Sequence, residues 1–390
     1  MTGHLSIDDA ELTVKGGINT ADEISRQPEV WMETYRLVLR EKDKIRGFLS
    51  RALAAGEGEI ILTGAGSSAF IGNSLQGPML RNLNRNVRTV PTTDLVSHPG
   101  SYLRREVPTL LISFARSGDS PESFAAVERA KVICGNLYHL VITCNPSGEL
   151  ARNCKSARDH LLLLPSGTND LGLAMTASFT SMLLAGILIS KVDRLGAQEE
   201  HVGLLSRYGK SVLVKCTDAL HEVAKMDFKR AVFLGSGPLQ GIAQESQLKL
   251  QELTAGRIIC KHDSFLGFRH GPRAVVDDAT LLVYLLSNDP QVLAYEMDLI
   301  REVRQLHREM FSLSVSEHPL NEIKADLEIV LSEDEQDHLP EEFLAITNVL
   351  PAQMLGFFKS FESGLRPDAP SADGAIHRVV QGVRIYPYDK

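Results

Sequence analysis

The chain has few of the features that mark secreted or nucleic-acid-binding proteins. Its five cysteines are an odd number and none stands in a CxxC pair, so the sequence predicts neither a disulfide framework nor a cysteine zinc site. A net charge of −8 argues against nucleic-acid binding, which depends on lysine and arginine contacts to phosphates. We expect reduced thiols in a cytoplasmic protein that binds no nucleic acid.

We expect neither a signal peptide nor a membrane span. Residues 1–12 carry three acidic side chains and no apolar core. One uncharged run, Leu171–Ser190, covers twenty residues and is long enough to cross a bilayer. Five hydroxyl residues and two glycines within it lower its hydrophobicity and favour close packing. We therefore expect a helix buried between a sheet and its neighbouring helices, and no membrane contact.

What the chain does contain is an internal repeat at a constant offset. A short apolar strand followed by a glycine-rich turn occurs twice, and a second apolar strand follows each copy. Equivalent residues are 171 positions apart: Gly64 and Gly235, Gly66 and Gly237, Leu110 and Leu281. This regularity predicts a duplicated α/β domain, in which each copy has its own turn suited to a ligand.

The alternation of strand, turn and helix predicts four regions. We expect a helical N-terminal extension at 1–55, two α/β domains at 56–195 and 200–365, and a C-terminal tail at 366–390. Short apolar runs are typical of parallel strands buried on both faces. The predicted strands are Glu59–Leu62, Leu110–Phe114, Leu140–Thr143, Leu161–Leu164, Ala231–Leu234, Ile258–Ile259, Leu281–Leu286 and Leu327–Leu331, with a β-like segment at Val379–Tyr386. The predicted helices include Pro121–Val132, Tyr295–Phe311 and Glu342–Ser363. A capping box is also predicted at Thr20–Glu23, and Pro28 is predicted to lie in the first turn of a helix.

Two turns of the first repeat are suited to a phosphate group. Gly64–Ser68 and Ala115–Ser120 both follow apolar strands, so both should lie at the carboxyl edge of a parallel sheet. Backbone N–H groups at helix starts bind anions, and serine hydroxyls and an arginine add donors. The candidate donors are Ser67, Arg116, Ser117 and Ser120. Simple helix capping is the alternative for each turn alone. The second repeat has Pro238 and Leu239 after its glycine turn and is poorer in donors.

The helix after the second glycine turn carries a stripe of charged residues. Glu245, Lys249 and Glu252 fall on one face of the predicted helix Gln240–Leu253. A solvated face is the ordinary explanation, but a carboxylate beside an ammonium group near a binding turn also suits acid–base catalysis. Downstream, His270 precedes a Gly-Pro turn and is either structural or catalytic. His262 and Asp263 are the nearest approach to a metal cluster, and no metal or cofactor is expected.

Taken together, these elements resemble the sugar isomerase (SIS) superfamily in its tandem form. The resemblance implies two three-layer, flavodoxin-like domains, as in the isomerase half of glucosamine-6-phosphate synthase. At finer scale the chain resembles the galactosamine-6-phosphate deaminase/isomerase family, also called tagatose-6-phosphate ketose/aldose isomerases. The segments that carry this finer resemblance are Gln27–Trp31, Pro91–Val96, Phe268–Pro272 and Arg378–Val383.

The resemblance implies a role for each candidate residue. Glu252 would be the base that moves a proton between C2 and C1, and Lys249 would stabilise the enol-type oxygen or hold Glu252 charged. His270 would assist ring opening and would reach the active site of a neighbouring subunit, which implies a homodimer. The phosphate would be bound by Ser67, Ser68, Arg116, Ser117 and Ser120.

The tail shows one departure from the synthase. The lysine that forms an imine there is replaced here by Gln381, which cannot form one, while His377 is a possible acid or base. The tail would close the active site. The chain begins Met1-Thr2-Gly3, without the N-terminal cysteine of a glutamine-hydrolysing domain, so no built-in ammonia source is expected.

The sequence therefore predicts an enzyme that converts an amino-sugar 6-phosphate into a ketose 6-phosphate and ammonia. The resemblance selects D-galactosamine 6-phosphate and D-tagatose 6-phosphate. Three alternatives remain at this stage: a ketose/aldose isomerase of a neutral sugar phosphate, a sugar-phosphate-sensing regulator, and a deglycating enzyme. A regulator would be expected to carry a DNA-binding module or to lack the base, and the sequence shows neither feature.

Overall fold

The computed structural model describes residues 3–54, 56–307, 310–320, 322, 324–380 and 382–388. Gln381 lies outside the described residues. The chain forms two compact units. The first-sheet unit comprises Glu29–Asp170, Ala177–Glu200 and Asp373–Lys390, and the second-sheet unit comprises Met1–Pro28, Leu171–Thr176 and His201–Ala372.

Strands and helices alternate along most of the chain. In order, the strands are β1 Gly3–His4, β2 Ile7–Asp8, β3 Glu59–Thr63, β4 Asn86–Thr89, β5 Thr109–Ala115, β6 Leu137–Thr143, β7 Asp159–Leu163, β8 Arg230–Leu234, β9 Ile259–Asp263, β10 Thr280–Leu285, β11 Phe311–Ser316 and β12 Leu327–Val330. The helices are α1 Asp9–Lys15, α2 Ile18–Ser25, α3 Gln27–Arg40, α4 Lys42–Ala52, α5 Ser67–Leu83, α6 Thr92–Ser97, α7 Pro99–Tyr102, α8 Pro121–Ile133, α9 Glu149–Arg152, α10 Ala177–Ser190, α11 Glu199–Lys215, α12 Thr217–Lys225, α13 Pro238–Leu253, α14 Phe265–Phe268, α15 Pro290–Leu306, α16 Glu341–Thr347 and α17 Leu350–Glu362.

The first-sheet unit is built on a parallel sheet with the strand order β4-β3-β5-β6-β7. Every residue of β3 and β5 is buried, as expected for strands that helices cover on both faces. Helix α10 is buried along its whole length, and Gly186 lets it approach Leu75 of α5 closely. The uncharged run therefore forms a core helix from Ala177 onward, as the sequence predicts.

The second-sheet unit repeats this topology. Its parallel strands have the order β12-β11-β10-β8-β9. Counted from the first strand of each sheet, both orders are 2-1-3-4-5, the flavodoxin-like order. The α/β prediction with two parallel sheets flanked by helices is thus confirmed.

The offset of 171 residues recurs in the strand positions and in the turn angles. β8 begins 171 residues after β3, and β10 begins 171 residues after β5. Gly66 has φ 56° and ψ −128°, and Gly237 has φ 54° and ψ −127°. Only glycine adopts these angles without strain, so both turns need glycine at the same place.

Several predicted elements are wrong in extent or kind. Strands β1, β2, β4 and β11 are missing from the sequence prediction. The first two have only two residues each and lie in the predicted helical extension, β4 has four residues of mixed polarity, and Phe311 of β11 falls in the predicted helix before it. Helix α15 ends at Leu306 rather than at Phe311, and Phe311 begins β11. The last predicted helix divides into α16 and α17. Among the described tail residues from 366 onward, no strand forms.

The predicted capping box at Thr20–Glu23 is also wrong. Thr20 lies inside α2, which begins after Gly17. Instead of capping, the Thr20 hydroxyl donates to the Asp368 carboxylate at 2.7 Å, and Glu23 accepts a hydrogen bond from the Gly172 amide at 3.2 Å. Asp368 also accepts from the backbone N–H of Thr20, so a tail residue caps this helix from a distance. The prediction that Pro28 lies in the first turn of a helix is confirmed by α3.

His139 gives the first-sheet unit a pH-dependent stability. It is buried in β6, its Nε2 lies 2.9 Å from the Ser113 Oγ, and burial lowers its pKa to about 4. Because this is below the value of about 6.5 in an unfolded chain, the neutral form stabilises the fold above pH 6.5 and that stability is lost as the pH falls toward 4.

We expect His139→Gln to remove this dependence. Between pH 7 and pH 4.5 the unchanged protein should lose about 2–3 kcal/mol more of its free energy of unfolding than the variant does. Urea unfolding at both pH values measures the difference. His98→Gln, at an exposed histidine, is the matched control and should behave like the unchanged protein. An equal loss in His139→Gln and the control would contradict the prediction.

Two further findings concern the chain as a whole. No helix in the described part of the chain is long and apolar enough to cross a membrane. The five cysteines, all within the described residues, form no disulfide.

Candidate functional site

The topology of the first sheet creates a crevice at one edge. The chain leaves β3 toward β4 on one side and leaves β5 toward β6 on the other, although β3 and β5 are parallel neighbours. Ligands of open α/β sheets bind at such a switch point, outside the carboxyl ends of the strands. The structure places both predicted phosphate turns, Gly64–Ser68 after β3 and Ala115–Ser120 after β5, at this edge.

The turn after β3 is tight because two glycines allow it. A side chain at Gly64 would lie about 2.5 Å from the backbone of Ser68, and Gly66 has a positive φ. Helix α5 starts at Ser67, directly after Gly66, so the positive end of its dipole is at the crevice. Ser67 and Ser68 are each 5% exposed, which gives the turn a small, enclosed set of hydroxyl groups.

The loop after β5 is held by a neighbouring loop that sequence reasoning missed. The Asn145 side chain donates to the Ser117 carbonyl at 2.8 Å, and the Asp119 carboxylate accepts from the Glu149 amide at 2.9 Å. A side chain at Gly148 would collide with the Ser117 carbonyl, at about 2.2 Å. The signal for these residues was present in the sequence as an Asn-Pro-Ser-Gly turn after a predicted strand.

The loop presents one cation and two hydroxyl groups at the crevice edge. Arg116 is 6% exposed and directly follows β5. The Ser117 Oγ accepts from the Asp119 amide at 3.3 Å, and the Ser120 Oγ lies 2.6 Å from the Ser123 Oγ. These groups are the ones that a phosphate needs: a guanidinium fork, hydroxyl donors and a helix N-terminus.

The equivalent crevice of the second sheet has the opposite character. After β10, the Ser287 amide donates to Glu296 at 2.9 Å and the Ser287 hydroxyl donates to Glu341 at 2.5 Å. Glu341 also lies beside Gly237, in the turn after β8. Burial raises the pKa of Glu296 to about 8. The amide and the hydroxyl of Ser287 thus already donate to carboxyl groups, in line with the expectation that the second copy is poorer in phosphate donors.

The charged stripe of α13 is buried rather than solvated. Glu245 and Lys249 are fully buried, and Glu252 retains 16% exposure of its side chain. The Lys249 Nζ lies 3.1 Å from a Glu245 oxygen and also pairs with Glu252. Helix α17 packs closely against the backbone of α13 here, since a side chain at Gly356 would lie 3.1 Å from the Lys249 carbonyl.

The buried ammonium group stays charged. Burial lowers the pKa of Lys249, but the attraction of Glu245 and Glu252 more than offsets burial, so its pKa is raised above 10.5. A permanent positive charge therefore lies between two carboxylates, and of the three groups Glu252 has the access to solvent that a catalytic base needs.

His270 lies on a turn that ion pairs hold on both sides. Phe265 and Phe268 of α14 are fully buried before it, and Gly271 after it has φ 110°. Arg269 pairs with Glu302 of α15 at 2.6 Å, and Arg273 pairs with the same carboxylate. His270 itself is exposed.

The remaining candidates are in the tail and at β9. His377 is exposed and lies near Gly374, while Gln381 falls outside the described residues. Over the part of the chain that the structure describes, no group of three or more histidine, cysteine or acidic side chains is arranged to hold a metal ion. His262 and Asp263 therefore belong to no such group. The predicted phosphate-binding residues belong to the first-sheet unit, and Glu252, Lys249 and His270 belong to the second-sheet unit.

Comparison with known proteins gives consistent results. The SIS domain model matches residues 55–189. The D-galactosamine-6-phosphate deaminase AgaS of Shewanella sp. (strain ANA-3) is 38% identical and covers 97% of this chain and 95% of its own length. A solved structure from Clostridium novyi NT, 41% identical, covers 100% of both chains with a TM-score of 0.97. The tagatose-6-phosphate ketose/aldose isomerase of Escherichia coli has a TM-score of 0.88 at 35% identity and covers 96% of this chain and 98% of its own. The chain belongs to the AgaS family of SIS-domain D-galactosamine-6-phosphate deaminases.

Proposed function

We propose that this protein is an enzyme that converts D-galactosamine 6-phosphate and water into D-tagatose 6-phosphate and ammonia. Full-length relatives at 38% identity carry the name of this deaminase. The observation that carries the proposal is the pair of features described above: a donor-rich crevice in one repeat and a buried acid–base group in the other.

The phosphate is the handle by which the substrate is bound. In this proposal Ser67, Ser68 and the N-terminus of α5 bind it from one side of the crevice, and Arg116, Ser117 and Ser120 bind it from the other. The burial of Ser67, Ser68 and Arg116 supports the assignment, because hydrogen bonds to a phosphate are stronger where little water competes. The bound phosphate orients the open-chain sugar without taking part in its chemistry.

Glu252 acts as the base. It removes the proton from C2 of the open-chain amino aldose, which gives an enolamine, and a proton is then added at C1. The product of this transfer is a ketimine with a C1 hydroxymethyl group, and water hydrolyses it to the ketose and ammonia. The exposure of Glu252 beside two fully buried partners supports its selection for this role.

Lys249 acts as a positioning residue rather than as a group that touches the substrate. Its ammonium group is fully buried and paired on two sides, which favours the interpretation that it holds the Glu252 side chain in place. Contact with an enol-type oxygen would require that group to be reached from the solvent.

His270 assists ring opening in this proposal, and it does so in the site of a second copy of the chain. Its exposure and its firmly held turn support a role outside its own unit. A homodimer and a cytoplasmic location are part of the same proposal. Unpaired cysteines are the expected state in a reducing compartment.

A neutral ketose/aldose isomerase is the rival function, since the Escherichia coli structure bears that name. Incubation with galactosamine 6-phosphate, glucosamine 6-phosphate and galactose 6-phosphate in parallel separates the two. We expect galactosamine 6-phosphate to be converted to a ketose phosphate, with the highest kcat/KM of the three substrates. Conversion of galactose 6-phosphate alone would establish the rival.

A further inference from the structure

The arginine of the proposed phosphate site is held by the C-terminal tail. Arg116 Nη2 donates a hydrogen bond of 2.5 Å to the main-chain carbonyl of Arg378, which lies 262 residues later in the chain. Both residues belong to the first-sheet unit. The tail therefore contacts the guanidinium group itself, although no sequence pattern links the two positions.

Arg378 is in turn fixed by its own side chain. Its Nε donates to the Asp170 carbonyl at 2.8 Å, and its Nη2 donates to the Asn169 side chain at 3.0 Å. Asp170 is fully buried, and its carboxylate accepts hydrogen bonds from the amide and the hydroxyl of Ser178, near the start of α10. A continuous set of hydrogen bonds thus runs from the core helix through Asp170 and Arg378 to Arg116.

We propose that Arg378 is a positioning residue. Its guanidinium group binds residues 169–170 and thereby fixes the tail, so that the main-chain carbonyl of Arg378 holds Arg116 in the orientation that binds phosphate. An arginine side chain has many rotamers, and holding one of its donors in advance reduces the freedom lost on binding. This inference rests on the proposed function of Arg116.

A purely structural role for Arg378 predicts a different pattern of effects. If Arg378 only attached the tail to the rest of the unit, its removal would lower stability and leave phosphate affinity and KM unchanged. If it acts through Arg116, its removal weakens phosphate binding only when Arg116 is present. The two cases are separated by a double-mutant cycle.

The test measures the dissociation constant of inorganic phosphate by calorimetry. The proteins are the unchanged chain, Arg378→Ala, Arg116→Ala and the double variant. We expect Arg378→Ala to weaken binding about tenfold, and the double variant to bind no more weakly than Arg116→Ala. In steady-state assays Arg378→Ala should raise KM by a similar factor and change kcat less than threefold, because it affects binding in the ground state.

Two further variants keep the result interpretable. Arg384→Ala removes the same charge from an exposed position of the tail and should leave phosphate affinity within twofold. Arg378→Lys retains the charge and one hydrogen bond, so it should fold and show a smaller loss than Arg378→Ala. Unchanged affinity in both Arg378 variants would overturn the inference.

The outcomes also distinguish this inference from the proposed function. Additive losses in the double variant would show that Arg116 binds phosphate without help from Arg378, which overturns the inference alone. Unchanged phosphate affinity in Arg116→Ala would overturn the proposed cradle, and the inference with it.

Discussion

Replacing Glu252 by glutamine is expected to lower turnover by about 10²–10⁴-fold, because the amide keeps the shape of the side chain but cannot accept the C2 proton. Binding should change little, since the proposed phosphate groups lie in the first-sheet unit and Glu252 lies in the second. The prediction is checked by the rate of ammonia release from galactosamine 6-phosphate at saturating substrate, together with KM.

A matched substitution controls for the loss of one negative charge. Glu222→Gln makes the same change at a largely exposed position of α12, also in the second-sheet unit, and should leave kcat within twofold. If Glu252→Gln retained more than a tenth of the turnover, another group would have to be the base, and the assignment of Glu252 would be wrong.

Replacing Lys249 by methionine is expected to cost about 3–5 kcal/mol of folding free energy, since it leaves two carboxylates beside each other without their buried cation. The raised pKa of Lys249 means that its stabilising charge is fully present at neutral pH and is lost only as the pH rises through the folded value. Urea unfolding at pH 7 measures the loss. Turnover should also fall, because Glu252 loses the partner that holds it.

An exposed pair of the same spacing provides the comparison. Lys225 pairs with Glu222 at i,i+3 on α12, at 2.6 Å, but both side chains are largely in solvent. Lys225→Met should leave the free energy of unfolding close to that of the unchanged protein. Adding Glu245→Gln to Lys249→Met should recover about 1–3 kcal/mol, because it removes one of the uncompensated charges. A loss of less than 1 kcal/mol in Lys249→Met itself would contradict a buried, interdependent triad.

The repeat and the two sheets could be predicted from the sequence because their signals are local. Buried parallel strands are short apolar runs, and the glycine turns after β3 and β8 recur at a fixed offset with the same backbone angles. Strand β4, Asn86–Thr89, is not predicted because its four residues of mixed polarity show no alternation of polar and apolar side chains. Its pairing with β3 is a property of the folded sheet.

The environment of the candidate residues was harder to predict than their identity. The stripe Glu245, Lys249 and Glu252 has the spacing of a solvated helix face, and only the folded structure shows that it is buried. The contact of Arg378 with Arg116 joins positions that are 262 residues apart, so no window of sequence reveals it. Spacing thus identifies candidate groups, while burial and partners decide what those groups can do.

The central claim is that deamination is coupled to isomerisation, and the ratio of ammonia to ketose phosphate tests it most directly. Purified protein is incubated with galactosamine 6-phosphate, and ammonia and tagatose 6-phosphate are measured in the same samples over time. The account predicts one ammonia for each tagatose 6-phosphate at every time point, and loss of both products together in Glu252→Gln. Tagatose 6-phosphate without ammonia, or neither product from the unchanged protein, would contradict it.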